Sequence, residues 1–239
     1  MLESQGEHRP SVSLVVVGAG EGRRLGCEGA KAFVQLLGEP IVVRTLRAFS
    51  GLDFISQRIL VVPEGYVGRV RVEGEPLLVE LDEVVAGGPR RQDSVARGLG
   101  VVDERCDLVM IHDAVRPFIR KEDIVRCVEA AWRTGAAVVG VRAADTLKEC
   151  DGEGRVLRTV SREGLWAVQT PQIFRREVIL EAYEQFGVDV ATDDAGLVEM
   201  LGREVMVVEG RRDNIKVTWE EDVVLGEAML RGKKGRNLA

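Results

Sequence analysis

The chain is poor in the residues that build metal clusters and disulfide frameworks. Its 239 residues include four cysteines and two histidines. The cysteines, at positions 27, 106, 127 and 150, form no C-x-x-C pair and do not cluster with His8 or His112. This spacing argues against a zinc site and against a disulfide framework, and it predicts a protein of the reducing cytoplasm.

Long apolar runs and an excess of basic residues are also missing. Residues 1–11 are polar, and no apolar run is long enough to cross a bilayer, so we expect a flexible tail and no membrane span. The net charge of −6 argues against general binding of nucleic acid, which needs a basic surface. A hydrophobic content of 45% predicts a single domain over residues 12–239 with a full core.

The first glycine-rich loop lacks the spacing of two common nucleotide fingerprints. It spans Gly18–Arg24 and follows the aliphatic run Leu14–Val17. The third small residue of a dinucleotide fingerprint would fall at Arg23, and no Gly-Lys-Ser/Thr follows, so neither a nicotinamide oxidoreductase nor a Walker A loop is predicted. The two arginines and the nearby Lys31 favour direct contact with phosphate, although a tight structural turn would also need the glycines.

Alternating strand-like and helix-like segments predict the fold class. Helix-like stretches begin at Pro40 and Lys121, and the second is predicted to end at Gly135. Strands alternating with helices predict an α/β protein with a doubly wound, mostly parallel sheet. The ends of such strands meet in one crevice, so distant loops should converge on one polyanionic ligand, which we interpret as a nucleotide. Four aliphatic runs besides the first are strand candidates, at Ile59–Val62, Leu108–Ile111, Val138–Val141 and Val205–Val208.

One segment breaks this alternation. Thr146–Val160 alternates polar and apolar residues around Asp151-Gly152, which is a hairpin turn signal. The pattern predicts a β-arm at about residues 143–165 that projects from the main sheet. An isolated hairpin is marginally stable, so the arm should pack either on a second subunit or on its own domain.

The run His112–Pro117 places a carboxylate and a cation directly after a buried strand. Asp113 at a strand end is a natural ligand for magnesium, and Arg116 could clamp a phosphate through two hydrogen bonds. The alternative is an Asp113–Arg116 ion pair that ties the turn. His112 is predicted to be a structural hydrogen-bonding residue.

Two further loops combine a possible ligand contact with a helix start. Gly87–Ser94 offers backbone amides that could contact a base edge or a phosphate, and a plain helix cap at Asp93 or Ser94 is the alternative. Thr218–Glu221 matches the capping box Ser/Thr-x-x-Glu, which predicts a structural role for Thr218 and puts Lys216 at the edge of the pocket.

Taken in order, these motifs resemble those of the 2-C-methyl-D-erythritol 4-phosphate cytidylyltransferase family. The likeness runs from about Val12 to Leu230. It implies the nucleotidyltransferase type of this fold and a reaction of CTP with methylerythritol 4-phosphate. The products would be 4-diphosphocytidyl-2-C-methyl-D-erythritol and pyrophosphate, a step of non-mevalonate isoprenoid biosynthesis. The motifs that carry the resemblance are Gly20-x-Gly22-x-Arg24 with Lys31, His112–Pro117, Gln169–Gln172, Thr192–Ala195 and Glu209–Thr218.

The resemblance also implies a role for particular residues and a second subunit. Asp113 would hold Mg²⁺, and the β-arm would cross to a partner in a homodimer, where Thr146 and Arg162 would complete the neighbour's site. The triphosphate and the transition state would be stabilised by Arg24, Lys31 and Lys216. The nucleotide would be bound by Ala19, Gly20, Gly22, Gly88 and Ser94. Methylerythritol phosphate would be bound by Arg116, Thr146, Arg162, Asp213 and Thr218.

Two other functions compete with this one. A ribitol 5-phosphate cytidylyltransferase shares His-Asp-Ala-Val-Arg-Pro and Asn-Ile-Lys-Val-Thr, whereas Gly164–Trp166 and Thr192–Ala195 favour methylerythritol phosphate. A non-catalytic nucleotide-binding module is the other alternative, and the retained Arg24, Lys31 and Asp113 argue against it.

The chain departs from the usual family pattern in three places. Gly18 stands where alanine is common, and we expect it to add flexibility. Ala30 and Ala32 flank Lys31 where proline and glutamine are usual. Pro89 removes one backbone donor from the Gly87–Ser94 loop.

Overall fold

The computed structural model of the protein describes residues 9–20, 29–72, 80–187 and 191–236. The strands are β1 (Val12–Val17), β2 (Gln35–Leu36), β3 (Glu39–Pro40), β4 (Ile55–Val62), β5 (Glu83–Ala86), β6 (Leu108–Asp113), β7 (Ala136–Arg142), β8 (Leu147–Cys150), β9 (Val156–Val160), β10 (Trp166–Arg175) and β11 (Met206–Glu209). The helices are α1 (Ile41–Ala48), α2 (Val67–Val72), α3 (Arg91–Leu99), α4 (Lys121–Thr134), α5 (Arg176–Phe186), α6 (Asp194–Met200) and α7 (Glu220–Arg236).

The described strands form a central seven-stranded sheet in the order β11-β7-β10-β6-β1-β4-β5. Strand β1 lies between β4 and β6 and is parallel to both, and β5 continues the parallel part beside β4. Strand β10 runs antiparallel to its neighbours β6 and β7. The predicted mostly parallel α/β sheet is therefore confirmed. The carboxyl ends of β1, β5 and β6 meet at one edge, directly before Gly18, Gly87 and Ala114.

Two apolar layers cover the sheet, one on each face. Along β1, Leu14 and Val16 pack with α1 and α4, whereas Val15 and Val17 pack with α3, α5 and α6. All six residues of β1 are buried. Burial on both faces explains why the strands are continuous aliphatic runs instead of alternating polar and apolar residues.

Helix boundaries agree with the predicted signals except at α7. Helix α1 begins directly after Pro40, and α4 ends at Gly135, whose φ of 96° is the left-handed conformation that glycine adopts easily. The capping box predicted at Thr218–Glu221 is wrong by one residue. The carboxylate that accepts the N–H groups of Thr218 and Trp219, at 2.7 and 2.8 Å, belongs to Asp222.

The hairpin predicted within Thr146–Val160 is present as β8 and β9. The two strands pair antiparallel with Leu147 opposite Val160 and Glu149 opposite Arg158. The turn between them is closed by the carboxylate of Asp151, which accepts the N–H groups of Glu153 and Arg155. Most of the arm is exposed, including 59% of Val156 and 62% of Leu157.

Residues 1–8 of the expected amino-terminal tail lie outside the described residues. Ser11, the last residue of that expected tail, is held in place because its N–H and hydroxyl donate to the carboxylate of Asp107, at 2.8 and 3.0 Å. In the part of the chain that is described, no helix combines the length and apolar character needed to cross a membrane.

Candidate active site

A cavity of about 630 Å³ opens at the carboxyl ends of β1, β5 and β6. It brings Lys31, Asp113 and Lys216 together from distant parts of the chain, as the sequence predicts. Four cations are among the described residues that line this cavity: Lys31, Arg90, Arg91 and Lys216. The described lining residues are Val17, Gly18, Ala19, Gly20, Lys31, Ala32, Gly88, Pro89, Arg90, Arg91, Ser94, Asp113, Val115 and Lys216.

Gly18 lies in a tightly packed place at the end of β1. A Cβ atom at this position would lie 3.0 Å from the Cβ of Ala114 and 3.1 Å from the Cβ of Ala32. Its N–H donates to Val61 O at 2.7 Å, which holds the start of the loop against β4. The expectation that Gly18 adds flexibility to the loop stays a prediction. The predicted residues Gly22, Arg23 and Arg24 lie outside the described residues.

Lys31 is held in a short turn at the wall of the cavity. It begins the 3₁₀ turn Lys31–Phe33, is 9% exposed, and donates its N–H to Gly20 O at 3.3 Å. The preceding residue, Ala30, donates its N–H to the hydroxyl of Tyr66 at 3.1 Å. Proline, the usual family residue at this position, has no N–H and could not make this bond.

The loop that begins at Gly87 uses its backbone donors internally. The N–H of Gly87 donates to Val62 O, that of Gly88 to Ser94 Oγ, and that of Arg90 to the Asp93 carboxylate. Pro89 carries no N–H. The N–H groups of Gly87, Gly88 and Arg90 are therefore engaged within the loop, and a ligand contact through the amides of the helix start at residues 91–93 stays a prediction. The helix cap proposed at Asp93 is present, because its carboxylate accepts the Arg90 N–H at 3.0 Å.

The glycine at position 87 lets the two loops touch. A Cβ atom there would lie 2.2 Å from the Cβ of Ala19 and 2.8 Å from Ser94 Oγ. Gly88 and Ser94, predicted to contact the nucleotide, both line the cavity. Ser94 also holds the loop together, because its hydroxyl accepts the N–H of Gly88 at 3.1 Å.

Three cations surround the carboxylate of Asp113. Its Oδ1 accepts from Arg91 Nε at 3.0 Å, and its Oδ2 lies 2.8 Å from Lys216 Nζ and 3.4 Å from Arg116 Nε. Burial by itself would raise the pKa of Asp113, but the charges of Arg91, Lys216 and Arg116 outweigh it and hold the pKa well below its usual range. Asp113 is therefore ionised at any pH at which the protein would work.

His112 has a structural role, as the sequence predicts. Its Nε2 lies 3.1 Å from Arg116 O, and its Nδ1 lies 3.1 Å from the hydroxyl of Thr170. A carbonyl can only accept, so Nε2 carries the proton and Nδ1 accepts from Thr170. The Thr170 oxygen in turn accepts the N–H of Asp113 at 3.1 Å. Burial lowers the pKa of His112 to about 4, so the ring is neutral at pH 7.

The residues predicted to bind the second substrate fall into two groups. Arg116, Asp213 and Thr218 lie near Lys216, although none of them lines the cavity described above. Arg116 donates to Asn214 O at 3.0 Å, and Thr218 Oγ1 donates to Lys216 O at 3.2 Å. Asp213 is paired with Arg120, whose Nη2 lies 2.6 Å from its Oδ2. The ion pair between Arg116 and Asp113, considered as an alternative from the sequence, is present.

Thr146 and Arg162 form the other group, at the base of the β-arm. Both are exposed, and the guanidinium of Arg162 donates to Ala144 O. Neither lines the cavity of its own chain. Their predicted contribution to the site of a neighbouring subunit stays a prediction.

A buried ion pair that sequence reasoning missed lies behind Arg91. Arg91 Nη1 is 2.9 Å from Asp194 Oδ2, and Asp194 is fully buried. The sequence marks Asp193 and Asp194 as acids at a helix start, which is correct, because Asp193 caps α6 and Asp194 is its first residue. Nothing in the spacing shows that Asp194 turns inward to meet a residue about a hundred positions earlier.

The donor set suits a divalent cation that arrives with a nucleotide. Asp113 is the one carboxylate among the described lining residues, and the described part of the chain holds no group of three or more His, Cys, Asp or Glu side chains that could form a metal cage. Magnesium is usually held by one or two carboxylates, with phosphate oxygens and water completing its shell. The residues present therefore fit this mode of binding, with Asp113 as the protein ligand.

The doubly wound sheet, with glycine loops and cations gathered at the carboxyl ends of its strands, defines an α/β protein of the nucleotidyltransferase type. The family model of 2-C-methyl-D-erythritol 4-phosphate cytidylyltransferase matches residues 12–232. The chain belongs to this family, which confirms the resemblance found in the sequence.

Individual relatives support the same assignment over nearly the whole chain. The chain is 41% identical to the 2-C-methyl-D-erythritol 4-phosphate cytidylyltransferase of Syntrophus aciditrophicus (strain SB), over 95% of this chain and 99% of that protein. The crystal structure of the cytidylyltransferase from Thermus thermophilus aligns with a TM-score of 0.75 at 36% identity, covering 92% and 99% of the two chains. That of the 4-diphosphocytidyl-2C-methyl-D-erythritol synthase from Anaerococcus prevotii aligns at 0.80 with 28% identity, covering 94% and 100%.

Proposed function

We propose that the protein transfers the cytidylyl group of CTP to 2-C-methyl-D-erythritol 4-phosphate and releases pyrophosphate. The observation that carries this proposal is the convergence of Lys31, Asp113 and Lys216 on one cavity in a chain of this family. A triphosphate needs several cations at close range, and the cavity wall supplies them from three separate parts of the chain.

The reaction needs little covalent chemistry from the protein. An oxygen of the substrate phosphate attacks the α-phosphorus of CTP, a new P–O bond forms, and the bond to pyrophosphate breaks. The attacking phosphate is already an anion, so no general base has to remove a proton. Catalysis then comes from positioning and from neutralising charge. The neutral, fully buried His112 agrees with this scheme, because no base is required of it.

Lys31 and Lys216 are assigned to the triphosphate and to the charge that develops in the transition state. Lys31 is nearly buried, and a charge that is largely removed from bulk water interacts more strongly with an opposite charge than one in water does. Lys216 rests against Asp113, so its ammonium group is already placed beside the cavity. Arg24, which lies outside the described residues, is assigned to the same task from the family motif.

Asp113 is assigned to the divalent cation. When bound, such a cation supplies Lewis-acid polarisation and charge neutralisation of the phosphates. The cations around Asp113 make this part of the wall positive, so the metal should enter together with the triphosphate.

The second substrate is assigned to the region of Arg116, Asp213 and Thr218, and to Thr146 and Arg162 from a partner subunit. The exposed apolar residues of the β-arm support a homodimer formed through this arm. We place the enzyme in the cytoplasm, where the proposed pathway step would operate.

A pyrophosphate-release assay tests this function. The assay uses each of the four nucleoside triphosphates with either methylerythritol 4-phosphate or ribitol 5-phosphate, in the presence of Mg²⁺. Of these substrate pairs, we expect efficient pyrophosphate release only with CTP and methylerythritol 4-phosphate. A higher kcat/KM with ribitol 5-phosphate would reassign the substrate, and CTP binding without any release would support a non-catalytic nucleotide-binding module.

A further inference from the structure

The wall of the cavity continues inward as a chain of alternating charges. Lys216 and Arg91 both contact Asp113, and Arg91 also contacts Asp194. Asp194 then accepts a hydrogen bond from the hydroxyl of Tyr183 at 2.7 Å. This chain of contacts links the cavity wall to α6 and α5, whose residues Asp194 and Tyr183 do not line the cavity themselves.

Asp194 is the most buried member of this chain, with no exposed surface. A buried carboxylate is costly unless it is paired with a cation or accepts hydrogen bonds. Asp194 obtains both, through Arg91 at one oxygen and Tyr183 at the other. These two contacts offset the cost of burying the carboxylate, and an apolar residue at this position could not hold Arg91.

Arg91 is shared between two carboxylates, and this sharing fixes its orientation. Its Nε contacts Asp113 at 3.0 Å, whereas its Nη1 contacts Asp194 at 2.9 Å. The guanidinium is a rigid plane, so two contacts from different nitrogens define where that plane lies. Burial by itself would lower the pKa of Arg91, but the charges of Asp194 and Asp113 outweigh it and raise the pKa.

We infer that Asp194 is a positioning residue of the proposed reaction, which acts through Arg91 to hold the Asp113 carboxylate at the wall of the cavity. The inference rests on the proposed function. Without Asp194, Arg91 would have Asp113 as its one carboxylate partner among the described residues. Its guanidinium would then be drawn towards a triphosphate bound in the cavity. Asp113 would then lose the contact that orients its Oδ1.

A double-mutant cycle between Asp194→Asn and Arg91→Gln tests this inference. Asparagine keeps the shape of the side chain and can still accept from Tyr183, but it removes the charge that holds Arg91. In the otherwise unchanged protein, we expect Asp194→Asn to lower kcat by about tenfold to hundredfold, the usual range for a residue that orients a ligand-bearing side chain. In the Arg91→Gln background the same substitution should lower kcat less than about threefold, because its target is gone.

Asp193→Asn is the matched control. It makes the same chemical change one residue earlier, at the α6 cap, where asparagine is as good a cap as aspartate. Asp193 also accepts a hydrogen bond from Gln172 Nε2 at 2.7 Å, and the melting temperature of the control reports the loss of that bond. The kcat of this control should stay within about threefold of the unchanged protein. Equal losses from Asp194→Asn in both Arg91 backgrounds would show a general structural role and overturn the inference.

Melting temperature and CTP affinity by calorimetry, measured on all variants, keep the outcomes distinct. The calorimetric stoichiometry should remain one CTP per chain, and the coupling between positions 91 and 194 should also appear in the CTP dissociation constant. If Asp194→Asn does not fold, Tyr183→Phe removes the supporting hydroxyl more gently and should lower kcat by about threefold or more. An unchanged kcat in this variant would contradict the inference. If the protein without substitutions binds CTP but releases no pyrophosphate, the proposed function is overturned. The coupling between positions 91 and 194 in CTP affinity would still show whether Asp194 positions Arg91.

Discussion

The cavity wall around Asp113 and the β-arm differ in where their side chains find contacts. Asp113 is 5% exposed and is contacted by three cations of its own chain. On the arm, Val156 and Leu157 are more than half exposed. The charge of Asp113 is thus paired within its own chain, whereas the arm carries apolar surface that gains stability only when something covers it. Changes in the wall should alter chemistry in every subunit, and changes in the arm should act through assembly.

The largest effect is expected from removing Lys31. Lys31→Ala should lower kcat by about 10³-fold, because a preorganised charge in a water-poor site contributes strongly to the transition state. The change in melting temperature should be small by comparison, since the surrounding turn is held by backbone contacts to Gly20 and Tyr66. Steady-state kinetics and calorimetric melting, measured on the same preparation, check both statements.

Lys121→Ala is the control for this substitution. Lys121 is an exposed lysine at the start of α4, and its loss should leave kcat unchanged. A Lys31→Ala protein with near-normal turnover would refute the role assigned to Lys31 and remove the main distinction between wall and arm.

The next largest effect should come from the arm. Leu157→Asp places a carboxylate on a side chain that is 62% exposed in the single chain, so folding of the subunit should be little affected. Burying that charge in a partner interface would be costly, and we expect the dimer to dissociate at micromolar concentration. Activity should fall by at least about tenfold as the partner's Thr146 and Arg162 are lost. Sedimentation velocity and kinetics are the measurements.

Val224→Asp offers a comparison outside the arm. Val224 on α7 is 71% exposed, so the same charge on an equally open apolar residue tests whether the arm is special. Dissociation by Val224→Asp together with an intact dimer of Leu157→Asp would place the interface elsewhere.

Much of the scaffold could be predicted because its signals are local. The aliphatic runs at β1 and β6 reflect strands buried on both faces, and Gly135 marks the end of α4 through its own backbone conformation. The arm was visible because Asp151-Gly152 interrupts an alternating pattern. Each of these signals depends on residues within one element or one turn.

The polar connections behind the site could not be predicted, because they depend on which elements become neighbours. Arg91 meets Asp194 only because α3 and α6 both lie beside the edge of the sheet where β6 ends. The helix start at α7 was misplaced for a simpler reason. Glu220, Glu221 and Asp222 are three acids in a row, and the sequence cannot show which of them turns back to accept the N–H of Thr218.

A smaller effect is expected from the support of Lys31. Tyr66→Phe removes the hydroxyl that accepts the Ala30 N–H while keeping the ring that stacks on Phe33 at 4.8 Å. We expect kcat to fall about threefold to tenfold, since one hydrogen bond contributes about 1 kcal/mol. Such a loss would show that kcat depends on Tyr66, a residue that supports the Lys31 turn without touching a substrate.

Ala30→Pro sharpens this test. Ala30 has φ −76°, which proline can adopt, but the proline ring would take the place of the N–H that points at the Tyr66 hydroxyl, 3.1 Å away. Ala30→Pro should therefore lower kcat when Tyr66 is present, and Tyr66→Phe should recover part of that loss in the double variant by removing the oxygen that the ring meets. A further loss on adding Tyr66→Phe would mean that Tyr66 acts on Lys31 by another route.

The smallest effect on activity, but a measurable one on stability, should come from acid acting on His112. Burial lowers the pKa of His112 from 6.5 to about 4, so the neutral ring stabilises the fold fully above pH 6.5. This contribution is lost as pH falls towards 4, and it amounts to roughly 3 kcal/mol at 1.36 kcal/mol per pKa unit. Protonating Nδ1 would remove the acceptor for the Thr170 hydroxyl and disturb the support of the Asp113 N–H.

Urea titrations at pH 7, 5.5 and 4.5 measure this loss, and the two histidines of the chain supply the comparison. We expect His8→Gln, a change outside the described residues, to lose stability with acid as the unchanged protein does. His112→Gln should start less stable at pH 7 and show a smaller loss between pH 6.5 and 4.5. If the free energy of unfolding falls equally with pH in these two variants, protonation of groups other than His112 causes the loss of stability in acid.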